Sequence, residues 1–188
     1  GDVYKRQSID YWLESNMVYQ SKMFYNPSHF PHIKKLESLW KEFLIEYSSL
    51  KDGILPYVEH DLYTGKWDVF PFIVFGEKVE EGCKLCPKTW EAIKDIPGLL
   101  TASFSILRAG TEIFPHTGFT DKVIRCHLGL KIPTDCAIIV GEESRGWQEG
   151  KCLLFDDTVL HSAYNKSNED RIVLLLDIER NKQITEIQ

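Results

Sequence analysis

The chain is short of positive charge, of long apolar runs and of paired cysteines, and each shortage removes a class of function. Its 188 residues hold 22 Lys and Arg against 28 Asp and Glu, a formal charge of -6. A basic face for a phosphate backbone is therefore missing, and no nucleic-acid partner is expected. The longest apolar stretch, Val69 to Phe75, includes Pro71 and is far too short to span a bilayer. Neither G-x-G-x-x-G nor a P-loop occurs, so nucleotide folds have no support.

Cysteine is odd in number: Cys83, Cys86, Cys126, Cys136 and Cys152. Three of them sit inside apolar runs, where a thiol behaves as a small hydrophobe. Cys83-Lys84-Leu85-Cys86 is a lone C-x-x-C with no second pair or histidines at zinc spacing. It reads as a reduced loop-to-helix junction before Pro87, and a cytoplasmic location fits. The glycosylation triplet Asn165-Lys166-Ser167 carries no weight without secretion. Gly1 to Gln7 show neither an initiator Met nor a signal peptide and read as an appended or truncated end, with the native N-terminus left open.

What the chain does have is core material. Apolar residues make up 43% and charged ones 27%, which excludes disorder and fits one domain over residues 1–188. From Ile33 to about Tyr47, Leu36, Leu39, Trp40, Phe43, Leu44 and Tyr47 fall at the three-and-four spacing of one buried helical stripe. A second helix is predicted from Pro87 through Trp90 and Ile93 to near Pro97-Gly98. With an outer strand at Trp67–Phe75, these form a supporting layer over about residues 33–98. Beyond Gly98, short runs of branched and aromatic residues alternate with turn residues: Ala102–Leu107, Val123–Ile132, Ala137–Val140, Lys151–Phe155 and Arg171–Ile178. That spacing predicts an antiparallel jelly-roll core over about residues 99–180, giving a mainly β fold with an N-terminal helical layer.

Strand periodicity then locates chemistry. In Val123–Ile132, Arg125, His127 and Gly129 share one face, while Ile124, Cys126, Leu128 and Leu130 share the greasy other. In the last strand Arg171 shares a face with Val173 and Leu175, an odd place for a permanent charge unless an anion meets it. Ser105 and Leu107 share a face of their own strand. His116 lies in a loop, Phe114-Pro115-His116-Thr117-Gly118, and His161 lies just beyond the strand ending at Phe155.

Phe114-Pro115-His116-Thr117-Gly118, Arg125-Cys126-His127-Leu128-Gly129-Leu130 and Trp147-Gln148-Glu149-Gly150-Lys151 running into Phe155-Asp156-Asp157, completed by His161 and Arg171, resemble the aspartyl/asparaginyl β-hydroxylase family of 2-oxoglutarate/Fe(II) oxygenases. The likeness covers roughly Cys83 to Ile178. It implies a double-stranded β-helix (jelly-roll, cupin-like) and a dioxygenase using Fe(II), 2-oxoglutarate and O2. The implied target is a C–H bond of a peptide or small-molecule substrate, foremost the β-carbon of Asp or Asn. By the same likeness His116 and His161 hold the metal, and Arg171 grips the distal carboxylate of 2-oxoglutarate. Ser105, Arg125 and His127 add contacts to that co-substrate, and Leu107 packs beside it.

Where most relatives of this oxygenase class place a metal-binding acid two residues after the first histidine, this chain has Gly118. Water fills that position in the β-hydroxylases, and Asp121 is a nearby substitute. A small residue there is shared with iron halogenases, so halogenation and acyl-chain (lipid A-type) hydroxylation stand as alternatives, as does a catalytically silent β-barrel binding module. Family members acting on aspartyl peptides carry basic residues two positions before Ser105 and Arg125, where this chain has Ser103 and Val123. Asp156-Asp157 reads equally as a turn or as a carboxylate that fixes His161 or an arginine.

Overall fold

The computed structural model describes residues 23–180, and the chain end read from Gly1–Gln7 lies outside the described residues. In chain order the elements are β1 (Phe24–Tyr25), α1 (Ile33–Ser48), β2 (Leu55–Pro56), β3 (Tyr63–Thr64), β4 (Trp67–Val74), β5 (Glu77–Lys78), α2 (Glu80–Leu85) and α3 (Pro87–Ile93). The second half is all strand: β6 (Leu99–Leu107), β7 (Thr111–His116), β8 (Val123–Lys131), β9 (Cys136–Val140), β10 (Glu143–Arg145), β11 (Cys152–Phe155), β12 (His161–Asn165) and β13 (Arg171–Glu179).

The strands pair antiparallel into two sheets. The larger runs β1-β11-β8-β13-β6-β4-β2, with β5 on β4; the smaller runs β10-β9-β12-β7-β3. This is the predicted jelly roll. Its larger sheet is covered on both faces, which is why Arg171–Glu179 reads as a nearly unbroken buried run. Ile124, Cys126, Leu128, Ile172, Leu174, Leu176 and Phe104 face outward, into one cluster with Ile33, Leu36 and Phe43 of α1. Trp67, Leu107, Val173, Ile113, Ile138, Trp147 and Phe155 form a second cluster between the sheets. The helical layer thus clamps the sheet from outside, and truncating fully buried Phe43 to Ala would cost about 3–5 kcal/mol. Among the described residues no helix is long and apolar enough to cross a membrane.

Several elements differ from their sequence reading. The Cys83–Cys86 segment is not a loop: Cys83 lies in α2, and α3 ends at Ile93 rather than near Pro97. Cys86 precedes Pro87, which biases it away from helical backbone, so the helical run breaks in two. Glu46 of α1 restarts it, accepting from Lys88 N–H at 2.7 Å and Thr89 N–H at 2.9 Å. The outer strand is β4, one place in from the sheet edge, and Trp67 faces the interior. His116 and His161 are not in loops: they end β7 and begin β12. Both strands are short and interspersed with polar residues, so neither shows as an apolar run.

Candidate active site

Register in the larger sheet sets the interior polar groups at defined heights. Arg171 is paired across from Leu107, Val173 from Ser105, Leu175 from His127 and Asp177 from Arg125. The facing sheet contributes the two histidines, which are direct partners across the β7–β12 pairing. Ser105, His116, Arg125, His127, His161 and Arg171 all line one cavity of about 380 Å³, mouth included. Leu107 does not line it; it is fully buried in the cluster beneath.

The imidazoles of His116 and His161 have centroids 4.3 Å apart. Each ring is fixed in the same way: Nδ1 donates to a carbonyl two residues upstream, His116 to Phe114 O and His161 to Val159 O, both at 2.8 Å. A carbonyl only accepts, so Nδ1 carries the proton and each Nε2 is left as a bare lone pair. Burial lowers the His161 pKa to about 4 against the pull of the Val159 carbonyl, so the ring is neutral near pH 7.

Asp157 supplies a carboxylate beside this pair. Its Oδ1 lies 3.3 Å from His161 Nε2, one acceptor facing another. Arg125 Nη1 approaches the same oxygen at 2.8 Å, but neither Asp157 oxygen receives a directed hydrogen bond. Burial pushes the Asp157 pKa up by more than the Arg125 charge pulls it down. Two imidazole lone pairs, with the Asp157 carboxyl group beside them, form a set that suits a divalent cation such as Fe(II). Among the described residues no three His, Cys, Asp or Glu side chains already stand at metal-ligand geometry. Asp121 is exposed and uses only its backbone carbonyl, toward Arg180.

Deeper in the cavity the polarity reverses to bare donors. Arg171 is 2% exposed, yet its Nε and Nη1 have no partner. Its guanidinium lies over the Trp147 ring, 4.7 Å from the centroid, and burial draws its pKa down to about 10. Trp147 Nε1 donates to His127 Nδ1 at 3.2 Å, which leaves the proton on His127 Nε2, also buried and unpartnered. Burial first, then the Arg171 and Arg125 charges, hold His127 well below the usual imidazole range. Trp67 Nε1 donates to Ser105 Oγ at 3.0 Å, leaving the serine proton to donate elsewhere. Buried donors without acceptors are costly, and a carboxylate satisfies them. Arg125 is differently placed: Nε and Nη2 grip Asp177 at 2.7 and 2.9 Å, so two carboxylates already hold it.

Trp67, Trp147 and Asp177 were not legible as site residues. Trp147 reads as turn punctuation, and Trp67 as part of an outer strand. A signal for Asp177 did exist: it is a lone acid in an apolar strand, in phase with Arg171.

Comparison with known proteins bears on family and fold. Residues 28–181 match the profile described as Aspartyl/Asparaginyl beta-hydroxylase. The chain is 35% identical over 187 residues, 90% of its length, to the ornithine lipid ester-linked acyl 2-hydroxylase of Rhizobium tropici. It is 35% identical over 156 residues, 77% of its length, to aspartate beta-hydroxylase domain-containing protein 2 of Mus musculus. It spans 66% of the first relative's length and 46% of the second's. In fold it is similar to an oxidoreductase of the 2OG-Fe(II) oxygenase family from Burkholderia pseudomallei, with a TM-score of 0.52 at 12% identity, covering 72% of this chain and 76% of that one. With a matching profile over most of its length and relatives that agree with it, the chain belongs to the aspartyl/asparaginyl β-hydroxylase family.

Proposed function

We propose that this protein is an Fe(II)- and 2-oxoglutarate-dependent hydroxylase. The observation that carries the reading is the pairing, in one cavity, of two bare imidazole nitrogens with the unpartnered donors of Arg171 and His127. His116 and His161 would hold iron through Nε2. Arg171 would take the distal carboxylate of 2-oxoglutarate with its planar fork, helped by the Ser105 hydroxyl. His127 Nε2–H would donate to the co-substrate's other end, where Arg125 adds positive charge. When bound, iron and 2-oxoglutarate supply the oxidising chemistry for an unactivated C–H bond.

The side chains of the chain itself bind, orient and exclude water. Trp147 supports both co-substrate contacts, stacking on Arg171 and fixing the His127 tautomer. Trp67, Phe155 and Ile138 wall the cavity with apolar surface, which strengthens every charge contact inside. Asp157 fills the space beside Gly118, which leaves little room for a halide there. This occupied space favours hydroxylation over halogenation.

The family name points to the β-carbon of an Asp or Asn side chain as target. A second reading, an acyl chain, is favoured by Ser103 and Val123, both buried and uncharged. Nearby Arg108 does not supply a cation in their stead, because Asp68 and Asp170 hold its guanidinium at 2.7 and 2.8 Å. The Rhizobium relative acts on an acyl chain by name.

The test is succinate formation from 2-oxoglutarate with Fe(II), ascorbate and O2, run against Asp- and Asn-containing peptides and against fatty-acyl amides. Succinate that depends on His116, His161 and Arg171 supports the reading. Its absence with every substrate in a metal-loaded protein defeats it.

A further inference from the structure

One side chain outside the cavity ties together the two chain segments that adjoin the candidate ligands. Arg180, directly after β13, donates from Nε to Asp121 O at 3.2 Å and from Nη2 to Val123 O at 3.2 Å. The same Nη2 donates to Asp156 Oδ1 at 2.8 Å, and Nη1 donates to Tyr25 Oη at 2.5 Å. Its backbone N–H reaches Lys122 O at 2.7 Å. Asp121 and Lys122 belong to the segment that leaves His116, and Asp156 opens the segment that arrives at His161.

The link continues from Asp156 to a histidine ring. Asp156 is 2% exposed, and its Oδ1 also accepts from Thr158 N–H at 3.0 Å and Thr158 Oγ1 at 2.7 Å. Its carbonyl accepts from Val159 N–H at 3.2 Å, closing a turn. The carbonyl of Val159 is the acceptor that fixes His161 Nδ1. On the cavity side the two segments share a further tie, Gly118 N–H to Asp157 O at 2.7 Å. Arg180 supplies the outer tie.

We infer that Arg180 is a positioning residue for the histidine pair, setting the spacing of the segments that follow His116 and precede His161 without touching either imidazole. The inference rests on the reading of those histidines as metal ligands. A guanidinium suits the task because its planar fork reaches several acceptors in different directions at once. An ammonium at the same place pairs with Asp156 but leaves the Asp121 and Val123 carbonyls without their donor. Losing partners that orient metal-binding histidines weakens metal affinity by about 10- to 100-fold.

The test is anaerobic titration of the purified protein with Co(II) alone, followed by its visible absorption, alongside thermal unfolding. Arg180→Ala is expected to weaken Co(II) binding by about tenfold or more and to alter the Co(II) spectrum. Arg180→Lys should recover thermal stability more completely than Co(II) affinity, and added methylguanidine should partly restore affinity to Arg180→Ala. A folded Arg180→Ala with wild-type Co(II) affinity and spectrum overturns the inference, leaving Arg180 a purely structural brace. Should Arg180→Ala fail to fold, Arg180→Lys decides: an unchanged spectrum and affinity overturn the inference just as firmly. Failure of the wild type to bind Co(II), or binding that ignores His116→Ala and His161→Ala, instead defeats the underlying reading of the site.

Discussion

Asp157 stands where a side chain at position 118 would have to go: a Cβ on Gly118 would lie 1.8 Å from Asp157 Oδ2 and 2.6 Å from its Cγ. The acid missing after His116 is thus replaced in space by one that precedes His161. Restoring the usual sequence pattern with Gly118→Asp should therefore fail, because two carboxyl groups compete for one volume. The variant is expected to lose Fe(II) affinity or fold poorly, whereas Gly118→Asp combined with Asp157→Ala should bind Fe(II) better than Gly118→Asp alone. Anaerobic titration compares them, and equal affinity in the single and double variants would refute the volume argument.

Arg171 is a buried cation whose Nε and Nη1 have no acceptor among the described residues, so it is placed for a ligand at the expense of the fold. Arg171→Ala should weaken 2-oxoglutarate binding by about 30-fold or more, on the scale of about 2 kcal/mol for a lost charge-assisted pair. Its melting temperature without ligand should not fall sharply, since an uncompensated buried charge is removed. Calorimetric titration with 2-oxoglutarate and a thermal melt check both. Undiminished affinity would reassign the arginine.

His127 ties stability to pH. Its folded pKa is held well below the usual value, so the folded protein keeps it neutral while the unfolded chain takes up a proton near pH 6.5. Its contribution to stability is complete above about pH 6.5 and is lost as pH falls below that. The wild type should consequently lose melting temperature faster than His127→Gln between about pH 7 and about pH 5. Parallel curves would mean that the imidazole is not the acid-sensitive group.

Substrate charge is testable at the two positions that lack a cation. Val123→Arg and Ser103→Lys, alone and together, should raise binding of Asp-containing peptides and lower turnover of fatty-acyl amides. Competition assays measure the ratio, with a melt to show that each variant folds, since both positions are buried. A ratio unmoved in folded variants would separate these positions from substrate choice.

Much of the fold was legible because its main strands are long and regular. Val123–Ile132 alternates with period two and Arg171–Ile178 is a nearly continuous apolar run, and the structure ends them within one residue of those limits. Leu36, Leu39, Trp40 and Phe43 marked the helix that became α1. The strands carrying the histidines escaped detection because β7 and β12 are short, intersperse polar residues and hold few apolar ones. The C-x-x-C segment misled because Pro87 hides a helix behind a break.

By itself the sequence determined which residue types face the barrel interior, since side-chain alternation along a strand is fixed by local backbone geometry. It also placed His116, His161 and Arg171 in order along the chain. Only the tertiary structure decided that the two imidazoles come within 4.3 Å, that Asp157 fills the place beside Gly118, and that Arg125 is already held by Asp177. Those relations arise from pairing between strands far apart in sequence, and register across a sheet is set by packing, which no single segment contains.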